Sequence, residues 1–295
     1  MRKNRTVGER IFATLNNLIL LLITLACFIP VWHVFCASVS DPSLLNSYRG
    51  AVIWPMGKWT FSGYEYVLQM RNIWKGYLNT IIYVALATSL GVLLTCFAAY
   101  ALSRRNFLLK RPVAFLITFT MLFNGGLVPT YLIIRNLKML NTIWAIILPN
   151  CVSVFNVMIM KNSFDAIPVE LNEAAEIDGA GHFRTLFQII LPVSKSIFAV
   201  VTMFYLIQQW NSWFHTALYV NNTDMYPLQL WLREIIILGN SNSISTDVVD
   251  TNDLNLVYLL VKYCAIVVSI IPMLVLYPFI QKYMVNGVMV GAVKG

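Results

Sequence analysis

Three histidines, five cysteines and thirteen acidic residues are all that this chain of 295 residues offers for metal, thiol or acid–base chemistry. His33, His182 and His215 lie far apart, and no two have the spacing of metal ligands. Cys27, Cys36, Cys96, Cys151 and Cys264 are odd in number, include no C-x-x-C pair and all sit in apolar runs. They are expected to pack as small hydrophobes, neither disulfide-bonded nor metal-bound. There is no nucleophile elbow, no H-E-x-x-H and no pair of acids inside an apolar run. No catalytic and no metal-binding residue is therefore expected. The notable chemistry is the placement of the acids: Asp165, Glu170, Glu173, Glu176 and Asp178 fall within one short stretch.

The elements that must position that stretch follow from composition. Apolar residues make up 58% of the chain and charged residues 12%, about half the usual soluble share, and mean hydropathy is +0.69. Too few charges are available to cover a soluble surface, so a polytopic membrane protein is the class that fits. The net charge of +8 comes from short clusters between apolar runs and gives no sign of a nucleic-acid partner. Six stretches reach the roughly 20 apolar residues that a spanning helix needs: 11–35, 77–101, 113–134, 142–160, 195–219 and 256–281. Asn124–Gly126 and Pro129 interrupt the third, and Pro149 sits in the fourth. Such breaks occur where neighbouring helices or a cavity satisfy the freed backbone, or as ordinary kinks. The first stretch follows a basic N-terminus and is long enough to be kept as a helix rather than cleaved as a signal peptide.

Basic clusters orient the spans. Arg2, Lys3, Arg5 and Arg10 precede the first, and Arg104, Arg105, Lys110 and Arg111 lie between the second and third. Both clusters are expected on the cytoplasmic side. That places the 164–192 segment and both termini inside, with 37–76 and 220–255 outside. The start of 220–255 reads as a short helix against the outer surface, and its later part as a polar loop.

The 164–192 segment cannot cross a bilayer, because Glu170, Glu173, Glu176 and Asp178 crowd into its middle. It reads as two short cytoplasmic helices. Pro168 suits the first helical position, acids suit the first turns, and Gly179 suits the left-handed residue that ends the helix. Leu171, Ala174 and Ala175 share one face. Phe183, Leu186, Phe187 and Ile190 share one side of the second helix, which Pro192 is expected to end. The result is a docking element with an acidic rim. A connector lying on lipid is disfavoured, since the cytoplasmic leaflet is itself negative.

In the fifth stretch, Tyr205, Gln208, Gln209 and Ser212 share a face, with Trp210, Asn211 and Trp213 beside them. Aromatic rings and amides of this kind suit a sugar path. An interfacial aromatic belt explains Trp210, Trp213 and Tyr219 without any sugar and is the better reading for the tryptophans, whereas Gln208 and Gln209 are costly against lipid and suggest an inward-facing cavity. Asn124, Asn150 and Asn156 are weaker candidates, because hydrogen bonds between helices account for them too.

The run Glu173-Ala174-Ala175, three residues, Gly179, nine residues, Ile189-x-Leu191-Pro192 resembles the cytoplasmic signature of ABC-importer permease subunits, with no departure in spacing. T-M-L-F-N-G-G-L-V-P-T-Y at Thr120–Tyr131, Q-W-N-S-W at Gln209–Trp213 and the C-terminal K-Y-M-V-N-G-V-M-V-G-A-V-K-G are similar to the carbohydrate class, the maltose-permease G type. The resemblance covers essentially the whole chain, and within the class it is nearest to importers of alginate and pectin fragments. It implies an all-α, type I ABC-importer (MetI-like) permease fold as one transmembrane domain over 1–295, multi-pass in the bacterial inner membrane. It implies a coupling loop at 164–192, with Glu170, Glu173, Ala174, Ala175, Asp178, Gly179, Phe183, Leu191 and Pro192 meeting a homodimeric ATPase. It further implies a second homologous permease, a soluble sugar-binding protein at 220–255, and a cytoplasmic tail at 287–295. The chain has no G-x-x-x-x-G-K-[ST]. No cofactor is expected on it, and ATP and Mg belong to the partner ATPase. Two alternatives remain: a secondary transporter, which lacks the intramembrane charges it would need, and an ABC permease for a non-sugar solute.

Overall fold

The computed structural model describes residues 6–104, 106–238 and 254–292. Arg2, Lys3, Arg5 and Arg105 of the basic clusters lie outside the described residues, as do 239–253 of the expected outer loop and 293–295 of the expected tail. All regular structure among the described residues is helical. In chain order the helices are α1 (Val7–Ser38), α2 (Pro42–Ser47), α3 (Ser62–Gln69), α4 (Arg71–Ser103), α5 (Lys110–Leu122), α6 (Leu127–Asn136), α7 (Ile143–Ile147) and α8 (Val154–Asp165). They continue as α9 (Val169–Ile177), α10 (His182–Thr185), α11 (Leu191–Val193), α12 (Lys195–Trp210), α13 (Phe214–Tyr219), α14 (Leu228–Arg233) and α15 (Leu254–Ala292).

Of the six expected spans, three are single long helices and three fall on pairs of helices bent by more than 40°. α1, α4 and Val257–Pro278 within α15 are continuous helices long and apolar enough to cross a bilayer. The other three are bent pairs: α5 with α6 at 115°, Ile143–Asn150 with α8 at 51°, and His182–Val193 with α12 at 91°. The expected interruption of the third stretch falls at Asn124–Gly126, where Gly126 takes φ 90° and donates its N–H to Asn124 Oδ1 at 2.9 Å. Pro129 lies inside the first turn of α6 and does not form the break. The fifth stretch begins at Lys195, as expected, but α12 stops at Trp210 rather than running to 219, and it meets the preceding His182–Val193 helix at 91°. Pro192 does not end the second loop helix. A π turn at Leu186–Ile190 carries it on through Leu191–Val193, and the bend comes at Ser194.

The chain divides into two compact units. The first is built from the described parts of Met1–Arg71 and Leu232–Ile271. Its core joins Cys36, Ala37, Leu45, Val52 and Leu260. The 37–76 segment is folded rather than loose. Val52 donates its N–H to His33 Nδ1 at 2.8 Å, and Met56 donates to Ser40 Oγ at 3.0 Å. Ser38 and Tyr64 share a 2.6 Å hydrogen bond between hydroxyls, and Cys264 Sγ donates to the Ser38 carbonyl at 3.3 Å. Burial raises the pKa of the Tyr64 phenol, with the Ser38 hydrogen bond pulling the other way. Cys36, Cys96 and Cys264 are buried as expected, whereas Cys27 is exposed on α1, whose apolar window has none of its residues buried.

The second unit is built from Asn72–Trp231 and the described part of Pro272–Gly295, and α4 is its axis. One core cluster sets Val92, Cys96, Ala99 and Tyr100 of α4 against Met160 and Phe164 of α8 and Val201 and Tyr205 of α12. A second joins Tyr83 to Ile134, Ala145, Ile146 and Tyr219. Gly91 permits the closest approach, since a Cβ there would lie 2.6 Å from the Cys151 carbonyl oxygen. The short helix expected at the start of 220–255 forms as α14 and buries one face, with Leu228 and Leu230 each 1% exposed. Its first amide is held by a side chain of α4: Leu228 N–H donates to Thr80 Oγ1 at 2.9 Å.

Gly91→Ala should cost about 1–3 kcal/mol by overpacking against a backbone oxygen that cannot rotate away. Gly8, with nothing within 4 Å of a Cβ, is the control. Thermal unfolding in detergent should show a lower midpoint for Gly91→Ala and none of that loss for Gly8→Ala.

Candidate coupling site and substrate path

The acidic stretch folds as a helix, a glycine turn and a second helix. Pro168 serves as N-cap, one position before the expected place, because its ψ of 136° is still extended. Glu170 lies in the first turn, where a carboxylate complements the helix dipole. At the other end the Gly179 N–H donates to the Glu176 carbonyl at 3.1 Å, and the Ala180 N–H to the Ala175 carbonyl at 2.9 Å. With Gly179 at φ 72°, this paired bonding is a Schellman cap, as the sequence spacing predicts. Glu170, Glu173, Glu176 and Asp178 are all exposed. Asp165 is not part of this rim, since it is ion-paired one turn back with Lys161.

The apolar face is divided. Ala175 is 3% exposed, but Leu171 and Ala174 of the same expected face stand clear. On the second helix Leu186 and Ile190 are buried, while Phe183 is 71% exposed. Ile177, in the turn before the cap, is 86% exposed. The loop thus presents Leu171, Ala174, Ile177 and Phe183 among its carboxylates, an apolar knob with a charged margin. Phe97 of α4 meets Phe183 and Phe187 edge-on, with centroids 5.9 and 6.2 Å away. Leu191 is half-buried and Pro192 exposed at the end of the same helix.

Arg104, just past α4, ties the loop down. The sequence marks it only as an orienting charge. Its guanidinium lies 4.4 Å over the Tyr100 ring, and its Nη1 donates to Asn172 Oδ1 of α9 at 2.6 Å. Nε and Nη2 reach Ser103 Oγ at 3.4 and 3.3 Å. A cleft of about 460 Å³ beside this tie is lined by Tyr100, Arg104, Asn172, Glu176, His182 and Thr185, among others. The available sequence signal is a single arginine directly after an apolar run, which does not name a partner 68 residues away.

The candidate sugar-path residues separate into two sets. Tyr205 is buried, with its hydroxyl shared with Thr95 at 2.6 Å and accepting the Ser153 N–H at 2.9 Å. Trp210 is 5% exposed and packs on Tyr77. Gln208 and Asn211 are exposed, and Gln209, Ser212 and Trp213 are half-buried. The side chains left at least partly exposed are therefore the amides, Ser212 and Trp213, while Tyr205 and Trp210 are buried against other helices. Asn156 is buried at the start of α8, and Asn150 approaches His215 at 3.5 Å. Among the described residues no group of His, Cys, Asp and Glu could hold a metal ion.

Bent and straight apolar spans around a capped, acid-rimmed loop define a polytopic transport protein of the ABC-importer permease class. The family model of the binding-protein-dependent transport system inner membrane component matches residues 91–290, and the chain belongs to that family. It is 36% identical over 97% of its length to a polygalacturonan/rhamnogalacturonan transport system permease protein of Bacillus subtilis, covering 99% of that protein. It is 27% identical to a diacetylchitobiose uptake system permease protein of Streptomyces coelicolor, covering 97% of this chain and 91% of that one. Among solved structures it matches a chain of a bacterial ABC transporter involved in the import of the acidic polysaccharide alginate. That match has a TM-score of 0.84 and 29% identity, covering 95% of this chain and 99% of the other. The protein is thus a multi-pass inner-membrane transport subunit and not an enzyme. It works in an assembly with another permease, an ATPase and a binding protein.

Gly179→Ala meets no neighbour, so its cost is the left-handed backbone alone, about 1–2 kcal/mol. Hydrogen exchange at the Ala180 amide should quicken roughly five- to thirtyfold. Gly181→Ala, at φ −67°, should leave that amide unchanged.

Proposed function

We propose that the chain is one half of the pore of an ATP-driven importer for oligosaccharides or polysaccharide fragments, with acidic fragments of the alginate or pectin kind as the leading cargo. The observation that carries the cargo class is end-to-end similarity to permeases named for such sugars, 36% identity over nearly the full length in the pectin-type case. The 164–192 loop would seat in a cleft of the ATPase: Leu171, Ala174, Ile177 and Phe183 enter, while Glu170, Glu173, Glu176 and Asp178 meet the margin. Exposed apolar residues within a polar rim are the usual anatomy of such a contact. ATP and Mg would be held by the ATPase, a homodimer. Closure of that pair would draw the coupling loops together and turn the pore outward.

Both termini then lie in the cytoplasm, and the 287–295 tail reaches toward the ATPase pair. The 220–255 segment faces a soluble sugar-binding protein. The bare faces of α1 and α5 are left for lipid and the second permease. Gln208, Gln209, Asn211, Ser212 and Trp213 would line the sugar path.

The test is co-purification in mild detergent with the products of the neighbouring genes. A second permease and an ATPase should accompany the tagged chain, and Gly179→Asp should lose the ATPase while still inserting in the membrane. Purification alone, or an unaffected Gly179→Asp complex, would overturn the coupling role. Binding protein loaded with oligogalacturonides or oligoalginates should raise ATP turnover; stimulation by a non-sugar solute instead would overturn the cargo class.

A further inference from the structure

α4 is fastened at both ends to the two segments that carry the proposed contacts outside and inside. Near its start, side chains on one face clamp residues 224–228. Lys75 is ion-paired with Asp224. Asn79 Nδ2 donates to the carbonyls of Asp224 at 2.8 Å and Tyr226 at 3.1 Å. The Tyr83 hydroxyl donates to the Met225 carbonyl at 2.9 Å, and Thr80 accepts the Leu228 N–H. Gly76 lets the clamped segment lie against the helix, since a Cβ there would come 2.9 Å from Trp231 Cδ1 and 3.1 Å from Leu228 Cα. Positions 75, 76, 79, 80 and 83 share one face at three- and four-residue spacing.

At the far end, Tyr100 and Arg104 hold α9 through Asn172, and Phe97 meets the second loop helix through Phe183 and Phe187. Between the two ends, α4 runs from Arg71 to Ser103 without a break. From Asn79 to Tyr100 it rises about 32 Å at 1.5 Å per residue, close to one hydrocarbon thickness. The three bent spans have a joint where motion can be absorbed, and α4 has none.

We infer that α4 is the strut that carries movement between the coupling loop and the outer 224–228 segment. Arg104 and Asn79 are the positioning residues that fasten its two ends. The inference rests on the coupling role proposed above. An ion pair or polar tie at a free surface contributes little to stability. These ties instead meet carbonyls and an amide of two separate segments, and so fix each segment in register with the helix.

The test uses the co-purified assembly in lipid nanodiscs, with Mg-ATP as the probe. An environment-sensitive fluorophore is placed at Asn221→Cys, an exposed position three residues before Asp224, with Cys27 replaced by serine. Mg-ATP should shift the emission. Arg104→Ala and Asn79→Ala should each reduce that shift roughly fivefold or more while the ATPase still co-purifies with the chain. Arg104→Lys, which keeps the charge over Tyr100, should recover part of it. A full shift in either alanine variant, or no shift in the unaltered assembly, would overturn the strut. Loss of the ATPase from Arg104→Ala would also overturn it, by making Arg104 part of the docking contact. Failure of the unaltered chain to retain an ATPase is a different result, and would overturn the coupling role itself.

Discussion

A backbone group freed inside hydrocarbon has no water to turn to, and every departure from straight helix in this protein is organised around that constraint. At the 115° break, Asn124 takes the Gly126 amide and the Thr130 hydroxyl takes the Gly126 carbonyl at 2.8 Å. At the 51° break, the Ser153 amide is met by the Tyr205 hydroxyl, and Ser153 Oγ caps α8 by accepting from the Asn156 N–H. At the 91° bend the ladder barely opens: Ser194 donates to Ile190 and accepts from Phe198. Polar residues that look isolated in an apolar sequence are thus spent mostly on the backbone, which leaves few for a solute.

The acid-rimmed loop obeys the opposite economy. It lies where water is available, so its carboxylates need no partners and its helix need not be long. Its fixed points are the Schellman cap at Gly179, the buried Ala175, Leu186 and Ile190, and the Arg104 tie. The rest of its apolar surface stays largely exposed, Ile177 above all, while Phe183 rests edge-on against Phe97 with most of its ring uncovered. On the coupling role proposed above, a loop held by these anchors with its apolar residues outward would lose little freedom on meeting the ATPase.

Much of this was legible in the sequence, because the signals were local. Apolar runs located the spans, and E-A-A with its spaced glycine located the loop and its cap. The break at Asn124–Gly126 was visible from residue types that cannot continue a helix. The rest depended on long-range packing. Nothing local told that the second loop helix continues from His182 through a π turn to Val193, or that Arg104 would reach Asn172. Tyr205 shares a helical face with Gln208, Gln209 and Ser212 in the sequence, but that spacing serves a solute or a neighbouring helix equally well, and only the positions of Thr95 and Ser153 show that its hydroxyl is engaged by the protein. The short helix at the start of 220–255 was visible in its leucines, but its seat on α4 was not, since that depends on Gly76 and on Thr80, 148 residues before Leu228.

The Tyr205 hydroxyl joins α12, α4 and the start of α8 at one oxygen, beside the contact that Gly91 makes with Cys151. One oxygen serving three segments behaves as a rivet rather than a bearing. Sliding any of the three by a turn would strand a hydroxyl and an amide in oil at the same moment. These segments are therefore obliged to travel as a block. A shape change in the subunit would then cost least at its 115° and 91° bends, where no such shared oxygen has to be broken.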